Sequence, residues 1–396
     1  MFDGFPVVDP VGPDGQGLPR AVDLIAGAIA PFAADADQHG VRREAIDALA
    51  AAGLHGALPE PASAQRELTE LLAGADASTW FCWTQHQSPL RALVQASEVG
   101  IQHRLLRDAR SGRLLCGVAF AHLRRPGPPN PVARWTSGGW VVDGTLDWVT
   151  SWDIADWFLL MARIDSTDEV IAAMLPAGRG LVEGAVRGLI PGPPLRLLAM
   201  SGTHTRPIRL DGVRLHEQDV LHIEPLEHWR QQDARKAASA NPATFGIARG
   251  ALADLHLFLQ RRPDPELAEW HAELVAQVRE VRRAAYALAD EPVAVDPRIE
   301  QEHLRARRHL RARSLQLAQQ ATTAVVVAQS GGSMATGSSA ERRAREALFM
   351  HVQAQTVEAG HAYARAARTG SAAGATTRPG LGGEFPAELA AIPATR

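Results

Sequence analysis

Short extended segments occupy one continuous stretch of this chain, about residues 113–215, and helical periodicity fills the sequence on both sides of it. That order constrains the fold more than any other feature. Strands that cluster, instead of alternating with helices, exclude a doubly wound parallel sheet. No G-x-G-x-x-G follows a strand to argue otherwise. Before the cluster, residues 20–34 and 41–53 carry apolar positions at three- and four-residue spacing, and Gly53 supplies a stop. A third helix opens near Ser63. A fourth runs from Ser78 to about Ser97 with Trp80, Trp83 and His86 on it and a kink at Pro89, and a short one ends near Arg110.

Within the cluster, residues 113–122, 155–162 and 170–175 are apolar runs, and RRPGPPNP at 124–131 forces a loop. Residues 139–150 and 203–215 are each centred on Asp-Gly, at 143–144 and 211–212. Asp-Gly between alternating segments predicts hairpins and a small antiparallel barrel or sandwich. Helix returns near Asn241 as four amphipathic segments, 241–260, 265–289, 297–330 and 339–367, the last two separated by Gly331-Gly332 and Gly337. The expected organisation is an arm (1–18), an N-terminal helical domain (19–112), a central β-barrel (113–225), a C-terminal helical bundle (226–368) and a tail (369–396).

Composition narrows the function classes. Apolar residues are 46% and charged residues 21%, an ordinary globular balance, and no apolar run reaches the ~18 residues that would span a bilayer. With a net charge of −3, nucleic acid is not an expected partner, and the Arg-rich run at 303–313 reads as a solvated or subunit-facing stripe. Lys236 is the only lysine, so no P-loop lysine is present. Cys82 and Cys116 make no disulfide framework and no HExxH occurs, which points to a reducing cytoplasm and no metal site. No basic n-region or apolar h-region opens the chain.

Four segments, in order, resemble the acyl-CoA dehydrogenase superfamily. GGWVVDGTLDWVTSW (138–152) is similar to its G-W-x-x-x-G-x-x-x-W-I-T strand pair, and SWDIADWFLLMAR (151–163) to the A-D and apolar strand that follow. THTRPIRLDGVRL (203–215) is similar to the strand that closes its β-domain, and SGGSMATGSSAERRAREALF (330–349) to its G-G-x-G…R-x-x-R-D-A segment. The resemblance covers about residues 20–368. It implies an α+β, mostly α fold: helical domain, central β-barrel and four-helix bundle, with flavin between barrel and bundle. FAD is the implied cofactor, with FMN as the alternative. A homo-oligomer, dimer or tetramer, is implied, with a neighbouring chain completing the flavin site.

On that resemblance Trp148 borders the flavin ring, and Thr150 and Ser151 supply hydroxyls near N5; the plain alternative makes Trp148 core. Gly331 and Gly332 match a pair that lets backbone approach the flavin diphosphate, or else simply break a helix. Arg261 stands nearest to the family's R-x-x-F-G arginine, although Pro263 interrupts that motif.

The departures shape the functional expectation. The dehydrogenase Glu base lies nine positions after the Arg of R-D-A, and here Arg345 leads to Ala354, which cannot take a proton. Asp254 and Glu269 are candidates for a relocated base. The T-E-P-x-x-G-S-D loop is replaced by AHLRRPGPPNP (121–131). These losses point to the flavin monooxygenase branch. Its members take reduced flavin from a reductase, use O2 on a small organic substrate, and need no Glu. SWDIADW (151–157) partly matches that branch's S-G-x-x-H-A-D-W. His86, Ser151 and His351 are its candidate catalytic residues, with His122 behind them, and the tryptophans at 80, 83, 148, 152 and 157 fit either an aromatic ligand or a core. An acyl-CoA dehydrogenase with a moved base, and a non-catalytic subunit of a mixed oligomer, are the alternative readings.

Overall fold

The bundle helices announce their own starts. Asn241-Pro242, Asp264-Pro265 and Asp296-Pro297 each place a capping side chain before a proline that needs no hydrogen bond in a first turn. The three caps accept from the backbone N–H groups of Ala243, of Glu266 and Leu267, and of Arg298. A computed structural model describes residues 18–56, 61–96, 99–125, 131–181 and 186–373. Residues 1–17 of the expected arm, the expected tail beyond Ala373 and most of the 124–131 loop lie outside the described residues.

The N-terminal domain is α1 (Pro19–Ala28), α2 (Ala33–His39), α3 (Arg43–Ala51), α4 (Ala62–Ala75), α5 (Ala77–Gln85), α6 (Gln87–Gln95) and α7 (Val99–Arg110). The single helix expected from Ser78 is two helices, divided at His86 and not at Pro89. Pro89 sits in the first turn of α6, where its missing N–H costs nothing.

The strands are β1 (Cys116–Ala119), β2 (Val132–Thr136), β3 (Gly139–Val149), β4 (Trp157–Ile164), β5 (Glu169–Pro176), β6 (Leu189–Pro191), β7 (Arg206–Leu215) and β8 (Val220–Pro225). They form one sheet in the order β6-β7-β3-β2-β4-β5-β8, with β1 beside β4. Neither Asp-Gly is a hairpin. β3 and β7 run through both, and the register slips between Val142 and Gly144, opposite Asp211-Gly212. Gly144 takes φ 137° and Gly212 φ 65°, and Asp143 accepts from Gly212 N–H at 2.6 Å. The two dipeptides make a bulge in which one carboxylate satisfies the other strand's freed donor. The expected all-antiparallel pairing also fails in part, because β1 and β2 each pair with β4 in parallel.

β4 is buried on both faces, and its alternation shows why. Phe158, Leu160 and Ala162 pack with Leu146, Val149 and Ile208 of the sheet's own core, while Leu159 and Met161 meet Leu93 of α6 and Leu105 of α7.

The bundle is α8 (Leu226–Ala238), α9 (Pro242–Arg261), α10 (Pro265–Asp290), α11 (Pro297–Gln329), α12 (Ser339–Met350) and α13 (Val357–Ala373). Helix α8 was not expected, and the predicted segment 339–367 is broken after Met350. Helices α4 and α9 cross closely: a Cβ on Gly246 would stand 2.3 Å from the Glu70 carbonyl oxygen. Beneath that crossing Arg249 grips Glu67 through bonds of 2.9 and 3.0 Å, Arg282 reaches Glu70 at 2.7 Å, and Tyr286 donates to Glu70. Two cations and two carboxylates balance, which makes this buried network structural. Among the described residues no helix is long and apolar enough to cross a membrane.

Candidate functional site

The end of β3 faces the bundle across a short turn at Ala121–Arg124. Two consecutive arginines after β1 tie this junction together. Arg124 grips Asp233 of α8 through Nε and NH2 at 2.7 and 2.6 Å, and Arg125 pairs with Asp147, the neighbour of Trp148. Side-on guanidinium–carboxylate contact fixes orientation as well as position.

Trp148 is 48% exposed, although it stands on a strand whose next residue, Val149, is buried. It therefore presents an aromatic face instead of filling the core. Trp80, Trp83 and Trp152 are buried and belong to the core.

Past Val149 the backbone turns through Ser151 at φ 66° and is held by Ser151 N–H to Thr203 carbonyl (2.8 Å) and Trp152 N–H to His204 carbonyl (3.1 Å). Met200 and His204 are left-handed too, at φ 64° and 52°. Three non-glycine residues in this region on one junction mark a strained, over-determined turn. Ser151 is fully buried, and its hydroxyl has the Cys82 thiol beside it but no oxygen or nitrogen partner.

The Thr150 hydroxyl belongs to a chain of three. Thr203 donates its hydroxyl proton to Met200 carbonyl at 2.7 Å, so it accepts from Thr205 at 2.8 Å, and Thr205 accepts from Thr150 at 3.3 Å. The chain of hydroxyls spends the Thr150 proton within the protein. Only acceptor lone pairs remain on Thr150.

Across the junction, His351 caps α12, and its ring meets Tyr363 edge-on at 4.7 Å. Its Nε2 is buried without a partner. Burial, and then the charge of Arg311, lower its affinity for a proton. The turn after it carries Ala354 at φ 50°. Arg311 of α11 donates to the carbonyls of Gln353 (2.7 Å), Ala354 (3.1 Å) and Ala237, binding this turn to the end of α8. Thus Ala354, nine positions after Arg345, offers only its carbonyl, already occupied.

His86 is elsewhere and otherwise engaged. It is fully buried, its Nδ1 accepts from Cys116 N–H at 3.1 Å, and Nε2–H therefore donates to Ala109 carbonyl at 3.0 Å. Burial pushes it down to about 4. A neutral imidazole thus joins α7 to β1, with the His55 ring 4.1 Å away, and both of its nitrogens are engaged by the backbone. His122 likewise donates to Met161 carbonyl at 2.8 Å and is pushed down to about 4 by burial. Asp254 pairs with Arg343 at 2.8 Å and Glu269 is exposed on α10, so neither stands ready as a relocated base.

Of the remaining expected residues, Gly331 and Gly332 lie in the turn after α11, and Arg261 ends α9. A Cβ on Gly331 or Gly332 would meet nothing within 4 Å, so this chain by itself imposes no close approach there. Arg261 is exposed, while Arg262 lines an open groove of about 680 Å³ with Phe258, Asp264, Trp270 and Val327.

Several determinants at these junctions were not legible in sequence. Asp156 of the A-D motif pairs with Arg43 at 2.8 Å and accepts from Leu115 N–H at 2.9 Å. Arg124, Asp233 and Arg311 carry no local signal, since they meet only through the fold.

No family model matches the sequence, and no curated protein matches it. Solved structures do match the fold. A dibenzothiophene monooxygenase from Paenibacillus sp. A11-2 is similar at 18% identity and TM-score 0.70, over 87% of this chain and 96% of that one. It has also been solved with FMN and with indole. A glutaryl-CoA dehydrogenase from Mycobacterium smegmatis in complex with FADH2 is similar at 15% identity and TM-score 0.73, over 93% and 99% of the two chains. Butyryl-CoA dehydrogenase from Megasphaera elsdenii is similar at 17% identity and TM-score 0.70, over 93% and 99%. The chain has the acyl-CoA dehydrogenase fold, as its four segments suggest.

Proposed function

We propose that this protein is a flavin-dependent monooxygenase that takes reduced flavin and O2 to a small organic substrate. The observation that carries the reading is Ala354. The turn where a dehydrogenase of this fold keeps its carboxylate has a methyl group, and its carbonyl is held by Arg311. Abstraction of a substrate α-proton needs a base within hydrogen-bond reach, and neither candidate for a relocated one fits: Asp254 is committed to Arg343 and Glu269 is exposed.

The junction suits a flavin ring, FAD or FMN. Trp148 offers a free aromatic face, and Ser151 an unpartnered hydroxyl. Thr150, restricted to accepting, suits the N–H of a reduced ring better than the bare nitrogen of an oxidised one. When bound, reduced flavin supplies the electrons that activate O2. The chain's own part is to wall the ring with Trp148 and to fix the 150–152 turn through Thr203 and His204.

The visible absorption spectrum of the purified protein, titrated with FAD and FMN in both redox states, tests this. Firm binding of reduced flavin, weak binding of oxidised flavin and O2 uptake with a flavin reductase are expected. Tight oxidised FAD bleached by an acyl-CoA ester refutes the reading in favour of a dehydrogenase. No binding in either state moves the case to a non-catalytic subunit.

A further inference from the structure

Six arginines are buried among the described residues: Arg43, Arg249, Arg282, Arg311, Arg342 and Arg343. Five have a carboxylate partner, namely Asp156, Glu67, Glu70, Glu346 and Asp254 for all but Arg311. Arg311, 6% exposed, has only main-chain carbonyls. The nearest carboxylate of the junction, Asp233, is closed onto Arg124. A buried charge held by carbonyls alone leaves most of its desolvation cost unmatched. Burial and the charge of Arg124 accordingly pull the guanidinium down to about 10.

The unused donors have a shape. Arg311 has five N–H groups, and three are committed, two from NH1 and one from NH2. Nε–H and one proton of NH2 remain. These are the atoms through which Arg124 grips Asp233 side-on. Beside them His351 keeps an unpartnered Nε2, and the half-buried His351 and exposed Val352 connect the place to solvent.

We propose that Arg311 and His351 form the recognition site for a carboxylate on the substrate, so that the substrate is a small organic acid. The substrate would bring the anion that the chain omits at Ala354. This rests on the flavin reading for its catalytic meaning, but the anion site stands on its own residues and is measured separately.

The experiment is calorimetric titration of the full chain, with and without FMN, using indole-3-carboxylate and neutral indole as probes. The carboxylate is expected to bind at least about tenfold more tightly than indole, a charge-assisted preference. Arg311→Met is expected to abolish that preference. Because Arg311 also ties three carbonyls, His351→Gln, which removes none of those bonds, is run beside it and is expected to lower the preference about threefold. Equal or weaker binding of the carboxylate, binding of neither probe, or a preference that survives both variants overturns the proposal. An absorbance titration with FMN and FAD separates the two readings. Carboxylate preference without flavin binding sinks only the flavin reading, and flavin binding without the preference sinks only this one.

Discussion

His86 fixes how the protein responds to acid. In the folded chain it is neutral, with both ring nitrogens bonded to the backbone, and it is pushed down to about 4 chiefly by burial. In the unfolded chain its value is about 6.5. A folded-state value below the unfolded one means that stability is fully present above about pH 6.5 and is lost as pH falls toward 4, because the unfolded chain takes up the proton first. From about pH 7 to about pH 5 the loss on account of His86 is about 2 kcal/mol, and it approaches about 3 kcal/mol at the folded value. His55, whose ring lies beside it and which is pushed well below its ordinary value chiefly by burial, acts in the same direction, as does His122. The perturbation that isolates the effect is His86→Asn, whose side-chain oxygen can still accept from Cys116 N–H but cannot titrate. Urea unfolding of wild type and variant is measured at both pH values. The variant is expected to be less stable near pH 7, through the lost bond to Ala109, and to show about 2 kcal/mol less pH dependence than wild type. An unchanged pH dependence would mean that His86 is not held neutral, and would reopen its candidacy as an acid–base group.

Three further perturbations probe the fold and the site. Arg249→Met leaves Glu67 and Glu70 facing a single buried arginine and is expected to cost about 3–5 kcal/mol, read as a fall in thermal midpoint; a change within about 1 kcal/mol would show that the network is solvated. Gly246→Ala drives a methyl group into the Glu70 carbonyl oxygen at 2.3 Å and is expected to part α4 from α9 and destabilise by more than about 2 kcal/mol in urea unfolding, where an ordinary Gly→Ala change in a helix stabilises. Trp148→Ala removes a half-exposed ring, so the thermal midpoint should barely move while the dissociation constant for reduced flavin rises about tenfold or more; a large loss of stability with unchanged flavin affinity would return Trp148 to the core.

The fold was legible because each domain carries its own local signal. Caps followed by proline mark three bundle helices, and the clustered strands rule out alternation. The errors arise where one local signal serves two structures. Asp-Gly supplies a left-handed glycine and a short acceptor, and both a hairpin and a bulge use them. Only the partner strand decides, and here Asp143 finds Gly212 across the sheet. Around the candidate site, sequence shows which residues are present but not how their protons are shared. The W-x-T-S stretch leads to an exposed Trp148 and a strained Ser151, yet the direction of the Thr150 proton depends on Thr203 and Thr205, more than fifty residues on. His86 illustrates the same limit. The sequence places His86 on an N-terminal helix but does not show that Cys116 and Ala109 take both of its nitrogens. Arg311 reads as one more arginine in a solvated stripe, yet in the fold it is buried and forms no ion pair among the described residues. The residues that discriminate among the functions of this fold are thus identified less by their type than by which of their hydrogen-bonding groups the rest of the chain leaves unused. By that criterion Ser151 and His351, with buried polar atoms that find no oxygen or nitrogen partner among the described residues, and Arg311, bonded to main-chain carbonyls alone, are the groups to test first.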